Sequence, residues 1–146
     1  GPRGGDEEKE IIRRMAGGDP IPVEAVATPK QILDTRKRIA DLYMDDRIVD
    51  YIDDILHATR EPKQFGLNDL VPLVEFGASP RATISLAQAS RAHAFLRGRS
   101  FVTPDDVKAI APDVLRHRVL TTYEAEAEEV TSDDIVQKIL ASIESP

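Results

Sequence analysis

The chain has 146 residues, a length that suits one domain with a buried core. Its formal net charge of −7 argues against a stand-alone nucleic-acid binder, which needs a basic face. It has no cysteine, which excludes disulfides, thiolate metal sites and cysteine nucleophiles; with no bilayer-spanning apolar run and no signal-peptide pattern, a cytoplasmic protein without membrane insertion is expected.

Residues 1–5, Gly1-Pro2-Arg3-Gly4-Gly5, read as a cloning scar or a cut linker, as in a piece of a longer protein. Residues 6–16 place Ile11, Ile12 and Met15 on one face and predict a short helix stopped by Gly17-Gly18. Pro20 and Pro22 then make an extended linker, the natural place for a hinge. Thr28-Pro29-Lys30-Gln31 carries a capping box with proline at the first helical position. Ile32, Leu33, Ile39 and Ala40 predict the buried face of that helix. Asp45-Asp46 opens the next one, in which Ile48, Val49, Ile52, Ile55 and Leu56 follow the 3.6-residue period and Asp50, Asp53 and Asp54 take the other face. Glu61-Pro62 ends it. Residues 63–76, interrupted by Pro72, read as a loop with at most one helical turn.

The most informative stretch is Gly77-Ala78-Ser79-Pro80-Arg81-Ala82. Ser79 is a strong N-cap residue whose hydroxyl can accept from the first-turn N–H groups, and Pro80 suits the first helical position. Arg81 then puts a cation beside the positive end of a helix, where acidic residues are favoured. An external anion facing both would explain it, since helix N-termini and guanidinium groups each bind phosphate. An arginine that simply points into water is the bland reading. The following helix, residues 80–97, is apolar nearly all round, which predicts a place in the middle of a bundle, and Gly98 stops it.

Thr103-Pro104-Asp105-Asp106 repeats the hydroxyl-proline start, here with acidic residues at the positive helix end. Pro112 predicts a kink or split in that helix. Residues 119–130, rich in glutamate, read as an exposed acidic connector. Thr131 and Asp134 open a last amphipathic helix carrying Ile135, Val136, Ile139, Leu140 and Ile143. No strand alternation stands out. The expected fold is all-α, a small helical bundle with short extra helices at both ends.

No phosphate-cradling loop with its lysine and hydroxyl residue is present, so no complete ATP site lies in this sequence. His57, His93 and His117 are not at metal-ligand spacing, and no metal site is expected. His93 reads as a packed or edge histidine. Adjacent aspartates on a helix point about 100° apart, so the three Asp-Asp pairs read as solvated faces and helix-start charges.

Taken in order, several motifs resemble the C-terminal part of a MoxR-type AAA+ ATPase. They are the Asp6 to Arg14 segment, the helix ending Ala58-Thr59-Arg60, the Gly77 to Ala82 hexapeptide, Leu96-Arg97-Gly98-Arg99, and Val102-Thr103-Pro104-Asp105-Asp106-Val107-Lys108. The resemblance implies that residues 6–16 close the large nucleotide-binding subdomain, 17–27 form the hinge, and 28–146 form the helical lid. It implies that Arg81 is the sensor 2 arginine, reaching the γ-phosphate of ATP, with Ser79 and Pro80 close to the nucleotide. The Walker motifs, and with them the residues that hold magnesium, would belong to the large subdomain, so this chain alone should not hydrolyse ATP and should bind it at most weakly. The resemblance further implies a parent that forms a homo-oligomeric ring, commonly hexameric, and remodels partners with von Willebrand factor A domains. Arg60 matches a family position without an evident role. The competing reading is a non-enzymatic helical interaction module, histone-fold-like or transcription-associated, for which Arg81 would be dispensable. An autonomous structural bundle without a ligand site is a third.

Overall fold

The computed structural model describes residues 5, 7–9, 24 and 26–146, and it divides into two units, Gly1–Leu33 and Asp34–Pro146. In the first unit, residues 5 and 7–9 are helical and exposed, and Glu24, Val26 and Ala27 are exposed and non-helical. The rest of the helix expected over 6–16 and most of the hinge expected over 17–27 lie outside the described residues. Thr28 and Gln31 exchange the two hydrogen bonds of the expected capping box, at 2.9 and 3.2 Å. Helix α1 follows, Pro29–Ala40, and none of its residues is buried. The expected buried face therefore fails: Ile32 and Leu33 are 46% and 62% exposed. Leu42, just beyond it, is buried.

The second unit is built on α2, Asp46–Arg60. The Asp45 carboxylate caps its start, accepting from the Arg47 N–H at 2.9 Å. Ile48, Tyr51, Ile52, Ile55, Leu56, Ala58 and Thr59 are buried along one stripe, and Asp50, Asp53 and Asp54 face water. Val49 is 44% exposed, since it falls just outside that stripe. Two short 3-10 turns, Pro62–Phe65 and Asn68–Leu70, occupy the predicted loop.

Strand β1, Val74–Phe76, follows and pairs antiparallel with β2, Leu120–Thr121. No sequence signal announces this ladder, because two or three residues are too few for an alternation and the partner is remote in the chain. Thr122 extends the tie, donating its N–H to the Leu73 carbonyl at 3.1 Å and its hydroxyl to the Pro72 carbonyl at 2.7 Å.

Helix α3, Arg81–Leu96, buries Ala82, Leu86, Ser90 and Ala94, four residues spaced by one turn. Three of them are small, which lets α4 approach closely along its length. The helix is not enclosed all round, however: Ile84 and Leu96 are 62% and 82% exposed. Gly98, at φ 74°, ends it as expected. Gly98 N–H bonds the Phe95 carbonyl at 2.9 Å and Arg99 N–H the Ala94 carbonyl at 3.0 Å, the two bonds of a Schellman stop.

Helix α4, Pro104–Leu115, runs on through Pro112, so the predicted split does not occur. Helix α5, Tyr123–Ala127, replaces much of the expected acidic connector. Thr122 caps it and Ala125 is fully buried, while Glu124, Glu126, Glu128 and Glu129 face water. Helix α6, Ser132–Ser142, begins with the predicted Thr131–Asp134 capping box and buries Ile135, Val136, Ile139 and Leu140. The α2, α3, α4 and α6 helices share one apolar core. Burying each large aliphatic side chain there contributes roughly 1.5–3 kcal/mol. The fold is all-α apart from the two short strands.

Candidate functional site

Ser79, Pro80 and Arg81 are all exposed and stand at the start of α3. Pro80 is already helical, with φ −56° and ψ −25°, as a proline at the first helical position should be. The Ser79 hydroxyl does not act as the expected cap, for no side chain caps this helix. The first turn closes on its own carbonyls instead. Ala82 N–H reaches the Ser79 carbonyl at 2.9 Å and Thr83 N–H the Pro80 carbonyl at 3.1 Å. The Arg81 guanidinium is the exposed cationic group at this helix start. Among the described residues the Arg81 side chain meets no carboxylate, so its charge is available to an outside partner.

The three exposed residues hang between two fully buried alanines, Ala78 and Ala82. Ala78 is gripped by the end of α2. Its N–H donates to Thr59 Oγ1 at 3.0 Å, and its carbonyl accepts from Arg60 Nη1 at 3.1 Å. Gly77 is pressed against the same helix end: a Cβ there would stand 2.4 Å from the Thr59 carbonyl oxygen, so only glycine fits. Arg60, without a role in the sequence, is therefore a ligand of the loop that leads to Arg81. Arg118 also escaped sequence reasoning. It donates from Nη2 to Ser85 Oγ at 3.3 Å and from Nε to the Val114 carbonyl at 3.1 Å. Ser85 lies one turn after Arg81 on the same face of α3, so a second guanidinium is anchored beside that face.

A second constellation joins the far end of α3 to α4. Asp106 is fully buried and accepts from the Thr103 N–H at 2.8 Å and the Thr103 hydroxyl at 3.0 Å. His93 Nδ1 lies 2.6 Å from its other oxygen, which Arg99 Nη2 also contacts. Asp105 and Asp106 both stand in the first turn, as expected of helix-start charges; Asp105 is exposed, but Asp106 is not solvated and turns inward to complete the capping box. His93 is correspondingly a paired, half-buried group. Burial alone would raise the Asp106 carboxyl; hydrogen bonds from Thr103 and His93 and the Arg99 charge outweigh it and hold the pKa below its ordinary value. Every acceptor position is spent internally, which fits a structural tie between helices.

Among the described residues no three His, Cys, Asp or Glu side chains are placed to hold a metal, and no helix is long and apolar enough to cross a membrane. A cavity of about 350 Å³, bordered by Arg38, Leu42, Phe95 and Arg99, lies at the end of α3 opposite Arg81. Arg81 itself sits on open surface.

The described residues form a helical bundle, and residues 71–139 match the AAA lid domain family. The chain is related over its length to the MoxR-type AAA ATPases, and it is the lid region of that family. It is 38% identical to chaperone MoxR1 of Mycobacterium tuberculosis over 97% of this chain and 37% of that protein. It is 30% identical to the uncharacterized protein YeaC of Bacillus subtilis over 97% of this chain and 42% of that one. A crystal structure of an ATPase candidate from Cytophaga hutchinsonii superposes with a TM-score of 0.82 at 32% identity, covering 95% of this chain and 42% of that one. The chain thus spans less than half the length of these relatives.

Proposed function

We propose that this lid supplies the sensor 2 arginine, Arg81, to ATP held by a large AAA+ subdomain, and that it couples nucleotide state to chaperone-like remodelling of other proteins. The observation that carries the reading is an exposed arginine, without a carboxylate partner, on a helix start braced from behind. Such a cation fits an anion delivered from outside the lid. Pro80 and Ser79, exposed beside it, would border the nucleotide. Magnesium would be held by the large subdomain, since no ligand cluster stands near Arg81 among the described residues. The division into large-subdomain helix over 6–16, hinge over 17–27 and lid over 28–146 belongs to this proposal. So do a cytoplasmic, ring-forming parent and clients with von Willebrand factor A domains.

The physical work of Arg81 would be electrostatic. A guanidinium held at the γ-phosphoryl meets charge that redistributes during transfer, and it needs no rearrangement at that moment. ADP lacks that group and gives the arginine no partner, so lid position would follow nucleotide state. In the full-length ATPase, Arg81→Ala should lower turnover on the order of 10- to 1,000-fold while leaving ADP affinity nearly intact. Arg81→Lys should rescue only in part, because a point charge does not reproduce the planar fork. Wild-type turnover in Arg81→Ala, with assembly intact and ATP saturating, would refute the reading and favour the interaction module.

A further inference from the structure

We infer that Thr59 and Arg60 are positioning residues for Arg81, and that the end of α2 works as a clamp that sets where the guanidinium stands. Its consequence for turnover rests on the sensor reading above; the clamp itself rests on geometry alone. Both polar groups of Ala78 are engaged by consecutive residues of α2, the N–H by Thr59 Oγ1 and the carbonyl by Arg60 Nη1. The Thr59 hydroxyl donates its own proton to the Leu56 carbonyl at 2.6 Å. Its lone pairs are then left to accept from Ala78, so the arrangement is satisfied in one orientation only. Gly77 lets the loop backbone come into direct contact with the Thr59 carbonyl. Downstream, Pro80 has a ring-restricted φ and Ala82 is fully buried in the core. Only Ser79, Pro80 and Arg81 therefore span the gap between two fixed points, and the arginine's Cα has little freedom.

That freedom matters because a cation stabilises a transferring phosphoryl best when it is already in place. Misplacement by about 1 Å can cost about 100-fold in rate. A hydroxyl and a guanidinium at the end of a helix would ordinarily be left to water. Here both are spent on the backbone of one residue, three positions before Arg81. The expected defect on losing them is therefore a mobile Arg81 on a bundle that is otherwise intact.

The test uses two arms. This chain has no native cysteine, so nitroxide labels attach only where Arg81→Cys and Gln137→Cys, the latter on exposed α6, introduce them. Pulsed electron paramagnetic resonance should give a narrow distance distribution that broadens in Thr59→Val and in Arg60→Gln. Thr59→Ser, which keeps the hydroxyl, should restore it; circular dichroism identifies the folded variants to be compared, and Arg60→Gln serves if Thr59→Val does not fold. In the full-length ATPase the same two substitutions should lower kcat about 10-fold, with KM for ATP nearly unchanged, and should add nothing once Arg81 is alanine. An unchanged distance distribution in folded Thr59→Val and Arg60→Gln overturns the clamp, even if Arg81→Ala slows turnover. Kinetic losses that multiply with that of Arg81→Ala overturn it too. A broadened distribution beside wild-type turnover in Arg81→Ala keeps the clamp and removes the sensor role.

Discussion

Helices α3 and α4 begin with the same two-residue signature and end in opposite states. Ser79-Pro80 and Thr103-Pro104 each place a hydroxyl before a proline. At α4 the hydroxyl caps the helix, and the third residue, Asp106, reaches back to the Thr103 N–H. His93 and Arg99 complete that carboxylate, so nothing is left over for a ligand. At α3 no side chain caps the turn, and the next residue is a cation that meets no carboxylate among the described residues. One start is closed by its own acid; the other is left open and is braced from behind instead. The difference teaches that the capping hydroxyl is not the discriminating feature. What discriminates is the sign of the charge in the first turn and whether the chain itself neutralises it.

The contrast can be broken most severely at Asp106. Asp106→Ala removes the carboxylate that joins α3 to α4 and should cost roughly 2–4 kcal/mol, below the largest values for buried pairs because Arg99 and His93 can turn toward water. The corresponding loss should appear as a lower denaturation midpoint. The pH dependence has a definite sign. The folded-state pKa of Asp106 lies below its ordinary 3.8, so its contribution is fully present above that value and fades as pH falls through the lower folded one. Asp106→Asn should flatten that acid limb of the stability curve, measured by denaturation from about pH 5 to about pH 2.

A finer cut compares the two hydroxyls. Thr103→Ala should destabilise by roughly 1 kcal/mol with an unchanged m-value, because a working cap is lost. Ser79→Ala should stay within about 0.5 kcal/mol of wild type, because its hydroxyl caps nothing. Equal losses at the two sites would mean that the starts are alike after all.

The sequence disclosed the parts of this fold that are local. Thr28 with Gln31 and Thr131 with Asp134 are capping boxes written three residues apart, and both form. The stripe of Ile48, Ile52, Ile55 and Leu56 is periodic, and it is buried. The failures share a cause in distance along the chain. Whether Ile32 and Leu33 are covered depends on which elements meet α1, and periodicity is silent on that. The β1–β2 ladder joins residues more than forty positions apart. The pairing of Asp106 with His93 joins two helices, and local residue order is silent on it. Residue order pointed to Arg81 as the likeness to lids became legible, yet the clamp at Thr59 and Arg60 needs contacts across 18 and 19 positions. For that reason Arg60 had a place in a motif and no work to do.

The account turns on where the Arg81 guanidinium goes when ATP is present. A structure of the full-length ATPase with magnesium and a non-hydrolysable ATP analogue would measure this directly. The open helix start predicts that the guanidinium lies within about 3 Å of a γ-phosphate oxygen, with Ala78 still held by Thr59 and Arg60. An ordered analogue in the closed lid with Arg81 still directed into solvent, or paired to a carboxylate of the large subdomain, would contradict it.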